Sequence, residues 1–314
     1  RRLDELCEGV EKVAVIGSGF VGLEILENLV ERGKDVTLVE ILPHVIATFD
    51  ADMAGIIEQR LEEHGVKVLL GNPCTELRDG KIVVNGQELE TDLVVIGAGA
   101  TPDVELALQA GCEKGRAGVK VDSQCRTGVP GVYAVGDLAE FEGAVFPEPT
   151  LLQLLPNVMI QGVQVALDIK GNPVEGPAAV GAGMSHTLGL FWGSAGYGEE
   201  FAKSRGLRTF AHKIDLLTAE AASPEAKKGW YKMIVSAEDK DGVGKGQIIG
   251  FQAVTESKHL GDLMPRWADA IGAKETVYDL PKHNWIHQPM VGEPGSNAYI
   301  MTFFNQLMAK LEAA

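Results

Sequence analysis

Over its first hundred residues the chain alternates short, unbroken apolar runs with longer stretches whose apolar residues recur every three or four positions. Val13-Ala14-Val15-Ile16 is the first run, as expected of a parallel strand buried on both faces. Leu23, Leu26, Leu29 and Val30 then share one helical face up to Arg32, and Gly33 supplies a stop. A second run, Val36-Thr37-Leu38-Val39, ends in Glu40. Met53, Ile56, Ile57 and Leu61 predict a helix over 51–64, and 66–70 reads as a strand. Ile82-Val83-Val84 and Glu88-Leu89-Glu90 flank Asn85-Gly86, a pair that accepts the left-handed backbone of a two-residue hairpin turn. Leu93-Val94-Val95-Ile96 runs into a further glycine-rich turn opened by Gly97. Strand and helix in alternation predict an α/β fold with a parallel sheet.

The pattern changes further along. A helix is expected over 156–169, with Pro156 in its first turn and Gly171 past its end. Residues 230–235 and 247–254 read as neighbouring strands joined by a polar turn at 238–245, followed by a helix over 260–271. Trp192 and Tyr197 read as hydrophobic packing.

Between the first strand and its helix stands Gly17-Ser18-Gly19-Phe20-Val21-Gly22. In a strand–GxGxxG–helix–strand–acid unit each position has a task. Gly17 permits the tight turn, Gly19 admits a pyrophosphate to the backbone, and Gly22 lets helix and strand pack closely. The helix start offers unpaired N–H groups and a partial positive charge to phosphates. Glu40, eighteen residues beyond Gly22, is placed to accept hydrogen bonds from ribose hydroxyls. A carboxylate there repels a 2′-phosphate and Ile41 and Leu42 supply no compensating arginine, so NADH is favoured over NADPH. The motif alone leaves open whether the ligand is NAD or the adenine half of FAD.

With 314 residues the chain has room for two or three cores. Its net charge of −16 argues against nucleic acid or an anionic membrane surface as partner. No apolar run approaches the roughly 18 residues of a spanning helix, and the first ten residues carry charges without an apolar core. A cytoplasmic protein is therefore expected. Cys7, Cys74, Cys112 and Cys125 lack the spacing of a metal site or a redox dithiol. They read as reduced structural thiols, with Cys125 the one nearest a ligand motif, and no metal site is expected.

On these motifs the chain resembles the pyridine nucleotide-disulfide oxidoreductases, in particular the branch holding NADH oxidases and coenzyme A disulfide reductases. The resemblance implies that residues 17–24 are the NAD(P)H-binding GxGxxG of that family, with Glu24 near the nicotinamide. Thr127-Gly128-Val129-Pro130-Gly131-Val132-Tyr133-Ala134-Val135-Gly136-Asp137 is similar to the family's TxxxxVYAxGD. It implies that Gly136 and Asp137 contact FAD at the end of a buried strand, and that the helix after Pro156 aims its start at the flavin. Three domains follow: a Rossmann-like NAD(H)-binding domain over 1–115, the returning segment of a FAD-binding domain over 116–179, and an α+β dimerisation domain over 180–314.

Family members open with another GxGxxG and a redox cysteine. Here twelve residues precede Val13, too few for a βαβ unit of about 30. The flavin-binding half is therefore expected elsewhere, in a longer chain of which this is a piece or in a separate subunit. The resemblance implies an NADH:acceptor oxidoreductase that passes electrons through FAD to a disulfide, persulfide, oxygen or protein, and a homodimer. The alternative is a non-catalytic NADH-binding or assembly subunit. His287 and Glu293 are similar to the histidine–glutamate dyad of dihydrolipoamide dehydrogenase. Gln288, however, occupies the slot before Pro289, so packing or interface roles are the stronger expectation for both.

Overall fold

The computed structural model describes residues 2–176, 179–217, 227–283 and 297–314. A short helix α1 (Arg2–Leu6) leads into β1 (Lys12–Ile16), α2 (Phe20–Glu31), β2 (Asp35–Val39), α3 (Ala51–Glu63) and β3 (Lys67–Leu69). An antiparallel excursion of β4 (Cys74–Arg78), β5 (Lys81–Val84) and β6 (Gln87–Glu90) precedes β7 (Leu93–Ile96). The first sheet has the order β3-β2-β1-β7 with every pairing parallel. Alternation along β1 sets its two faces. Val13 and Val15 meet Leu23 and Leu26 of α2 and Met53 and Ile57 of α3, whereas Ala14 faces the other way against Ile82 and Val84 of β5. The hairpin turn is as expected, with Asn85 at φ 48° and Gly86 at φ 77°.

A second region follows α4 (Glu105–Gln109): β8 (Val119–Lys120), β9 (Ala139–Glu142) and β10 (Pro149–Leu151) form a small sheet beside helix α5 (Leu155–Ile169). α5 is turned against ordinary patterning. Its buried side carries Gln161 and Gln164, while Leu155, Met159, Val163 and Ile169 are each at least 60% exposed. The expected strand into Gly136 does not form. Residues 132–135 meet 125–127 in a single isolated bridge, Tyr133 to Arg126, with Ala134 N donating to Cys125 O and Thr127 N to Val132 O, and Val135 is exposed. An extended run becomes a strand only where neighbours complete its ladder, and here the pairing stops at one bridge.

The last region holds β11 (Ala182–Thr187), β12 (Leu190–Gly196), α6 (Glu199–Ser204), β13 (Thr209–Leu217), β14 (Lys228–Ser236) and β15 (Ile248–Thr255). These strands form an antiparallel sheet in the order β11-β12-β15-β14-β13. Helices α7 (Leu263–Gly272) and α8 (Asn297–Glu312) pack Trp267, Ile271, Phe303 and Leu307 onto its inner residues Met233 and Phe251. The helix expected over 260–271 begins instead as a 3-10 turn, Lys258–Asp262. Pro265 has no N–H to offer the carbonyl of Gly261, so regular α geometry starts only at its own first turn. On the opposite side Trp192 and Val254 enter the core built by α2 and α3.

The architecture is thus an α/β fold with a Rossmann-like parallel sheet, a segment of a second α/β region and an α+β region. No helix among the described residues is long and apolar enough to cross a membrane.

Candidate dinucleotide-binding site

The carboxyl ends of β1, β2 and β7 open onto a cleft of about 940 Å³, lined by residues 16–21, 39–42, 72–74 and 96–100 together with Ala47, Asp137 and Gln153. Its floor is an approach of three glycines. Gly17 lies at φ 98°, and a Cβ there would come within 2.6 Å of the Gly97 carbonyl oxygen. A Cβ on Gly22 would lie 2.0 Å from the Gly17 carbonyl oxygen, and one on Gly97 would lie 3.0 Å from Gly22 Cα. Gly97 also donates its N–H to Ile16 O at 2.7 Å. It therefore belongs to the packing of the loop as well as to the wall of the cleft. Around Gly19 nothing lies within 4 Å of an added Cβ, which leaves the open side of the turn accessible.

α2 starts at this turn with Gly19 as its N-cap in extended geometry; no side chain caps it and no acidic residue stands in its first turn. Its leading amide donors therefore keep their capacity for an anion, aided by the helix dipole. Val21 is exposed on the same lip.

Glu40 sits at the end of β2, only 7% exposed, and its carboxylate is already engaged. Oε2 accepts hydrogen bonds from Ser18 N at 2.8 Å and Ser18 Oγ at 2.6 Å, and Oε1 accepts one from Leu42 N at 2.9 Å. Burial acts to raise its pKa, but these bonds to Ser18 and to the backbone outweigh it and hold the carboxyl below its ordinary value. A carboxylate has about four acceptor positions, so capacity for a ribose hydroxyl remains, though less than a wholly free acid offers. Ile41 and Leu42 beside it are exposed, and no lysine or arginine lines the cleft among the described residues.

Phe20 turns away from the turn to lie against Trp192, with ring centroids 4.9 Å apart. One turn on, the exposed Glu24 accepts a hydrogen bond from Ser185 Oγ at 2.5 Å. That partner is 161 positions away in sequence and no spacing rule points to it.

Gly136 and Asp137 lie across the cleft. Gly136 has φ 76°, is buried, and donates its N–H to Gln161 Oε1 at 2.6 Å; the exposed Asp137 faces the opening. The cysteine beside the cleft is Cys74, not Cys125. Cys125 is fully buried, and burial followed by the neighbouring Asp122 pushes its thiol up to about 11, as for an inert structural residue. All four cysteines are free, and no metal-binding cluster occurs among the described residues. His287 and Glu293 lie outside the described residues.

Glycine turn, open helix start and acid-ended strand on one parallel sheet define a dinucleotide-binding α/β protein of Rossmann type. The chain belongs to the pyridine nucleotide-disulphide oxidoreductase family, whose sequence profile matches residues 2–168. It is similar to the NADH oxidase of Methanocaldococcus jannaschii, at 30% identity over 298 residues, covering 92% of this chain and 65% of that protein. With the CoA-dependent NAD(P)H sulfur oxidoreductase of Pyrococcus furiosus it shares 31% identity over 78% of this chain and 55% of the relative. The solved structure of a NAD-dependent persulfide reductase from A. fulgidus matches at a TM-score of 0.88 and 27% identity, over 99% of this chain and 58% of that one. The chain spans between about half and two-thirds of the length of these proteins.

Proposed function

We propose that this chain is the NADH-binding and interface portion of an NADH:acceptor flavoprotein. The observation that carries the reading is the uncapped start of α2 over the Gly17–Gly22–Gly97 contact, with Glu40 in the same cleft. The amides at the start of α2 hold the pyrophosphate, Gly19 lets it approach, and Glu40 takes a hydroxyl of the adenosine ribose through its remaining acceptor capacity. With one carboxylate and no cation at that end, NADH is preferred to NADPH. Glu24 stands on the nicotinamide side.

Gly136 and Asp137 give a flavin one point of attachment, Asp137 accepting from a hydroxyl of its chain. FAD, when bound, supplies the two-electron relay between NADH and the acceptor. The acceptor is a persulfide, a disulfide, oxygen or a protein; the relatives' names span sulfur compounds and NADH oxidase activity. The adenosine half of FAD needs a glycine cradle of its own, and among the described residues the one GxGxxG turn, Gly17–Gly22, is taken by NADH in this reading. The exposed apolar face of α5, with Leu155, Met159 and Val163, favours a flavin-binding half packed there, from the same polypeptide or a companion chain. The three stretches 1–115, 116–179 and 180–314 are read as the NAD domain, the returning flavin-domain segment and the dimerisation domain, the last giving a homodimer. Four reduced thiols suit the cytoplasm.

Titration of the purified chain with NADH, NADPH and FAD tests this reading. NADH binding at least about tenfold tighter than either rival supports it; no NADH binding, or tighter FAD binding, overturns it. A preparation that binds NADH but is colourless identifies the chain as the NADH-binding portion without its flavin half.

A further inference from the structure

We propose that a cavity behind Phe20 is a second small-molecule site, separate from the dinucleotide cleft, and that it takes an aromatic alkylammonium ion. The inference does not depend on the reading of the cleft.

The cavity holds about 490 Å³, within the range of small-ligand sites. Three stretches of chain meet around it: the loop after β2 that leads into α3, residues 150–154 ahead of α5, and residues 181–183 and 194–198 of the antiparallel region. Phe20, Ala47 and Gln153 line both this space and the cleft, and so form the partition between them. Glycine leaves the room: a Cβ on Gly181, in the lining, would meet nothing within 4 Å.

The walls are aromatic. Phe20, Phe49 and Phe201 line the space, and Tyr197 stacks on Phe201 with ring centroids 4.9 Å apart. Fixed rings of this kind favour a flat apolar body. His44 and Glu200 set the polar end. His44 is only 7% exposed. Its Nδ1 donates to the Val45 carbonyl oxygen at 3.1 Å, so Nε2 of the uncharged ring is left as an acceptor. Glu200 Oε2 stands 3.6 Å from that Nε2, beyond hydrogen-bond distance, and it too can only accept. Two acceptors, one buried and one charged, therefore converge with no donor between them. A primary ammonium brings three donors and a positive charge, which suits both. An anion finds no counterpart. Lys232, whose partner Asp50 lines the cavity, is already met by three carboxylates, and Arg205, over the Phe201 ring, pairs with Glu148.

Calorimetric titration with tryptamine and with tryptophol, which carries a hydroxyl in place of the ammonium, tests the proposal. Tryptamine is expected to bind one-to-one, about tenfold tighter than tryptophol, the effect of a charge-assisted hydrogen bond. Saturating NADH should leave that binding in place. Glu200→Gln, at an exposed side chain, should weaken tryptamine about tenfold and leave tryptophol within about twofold. Gly181→Leu should fill the cavity and abolish the binding of both. Absence of saturable tryptamine binding, equal affinity for the two compounds, or unchanged tryptamine affinity in Glu200→Gln or in Gly181→Leu overturns the proposal. Direct displacement of tryptamine by NADH places the amine in the cleft and overturns it as well.

Discussion

Glu40 shows how one side chain can serve two tasks. Its carboxylate braces the glycine turn through Ser18 and the following loop through Leu42. Removing the Ser18 hydroxyl leaves a buried carboxylate short of a donor. Ser18→Ala should therefore lower stability by about 1.5–3 kcal/mol, read as a fall in the chemical-denaturation midpoint at unchanged slope. The pH dependence has a definite sign. The folded-state pKa of Glu40 lies below its ordinary value of 4.5. Its contribution is thus fully present above that value and is lost as pH falls through the lowered one. Glu40→Gln should flatten the acid limb of the stability profile below pH 4.5; an unaltered limb would place the carboxylate outside this linkage. The glycine positions were legible from spacing alone, because GxGxxG encodes a steric requirement between near neighbours. The engagement of Glu40 by Ser18, 22 positions earlier, was not, because GxGxxG leaves its second position free and only the fold brings that serine to the acid.

At the scale of elements, the parallel strands and the two long helices of the first sheet were readable from periodicity. Each carries its partner's requirement in its own sequence: an unbroken apolar run for a strand covered on both faces, a three-to-four repeat for a helix covered on one. α5 was readable as a helix but not in its orientation. Its apolar stripe points outward, and Gln161 points inward to receive the Gly136 N–H. Two substitutions separate these roles. Gln161→Leu leaves a buried N–H without its acceptor and should cost about 1–3 kcal/mol. Met159→Glu, on the exposed stripe, should change the stability of this chain by no more than about 0.5 kcal/mol. In an assembly carrying the flavin half, the same Met159→Glu should release flavin, seen as loss of bound flavin absorbance on gel filtration. Full flavin retention would show that the stripe is not the docking face.

At the scale of the molecule, the first and last regions are joined by a buried cation as well as by shared core. Lys232 of β14, only 4% exposed, reaches Asp50 at 3.0 Å, Asp52 at 2.7 Å and Glu199 at 2.7 Å. Asp50 and Asp52 sit at the start of α3, and Glu199 opens α6. Gln252 of β15 completes the junction, donating to Asp50 Oδ2 at 3.1 Å and accepting from Asp50 N at 3.0 Å. Burial acts to lower the pKa of Lys232, but hydrogen bonds to Asp52 and Glu199 and the charge of Asp50 prevail and raise it. Stability from this group is therefore present below the ordinary lysine pKa of 10.5 and is lost only as pH rises through the higher folded value. The junction holds across the neutral range. Lys232→Met removes the cation and leaves Asp50 buried among like charges, which should cost about 3–5 kcal/mol. Because the lost contacts lie between regions, the damage should appear as lost cooperativity: one calorimetric transition in the unaltered chain and two in the variant. The partner double substitution Asp50→Asn with Lys232→Met should recover part of the loss, since it removes the orphaned charge along with its counterion. A single transition in Lys232→Met, shifted by less than the cost of a surface change, would mean that the shared apolar core around Trp192 joins the regions unaided.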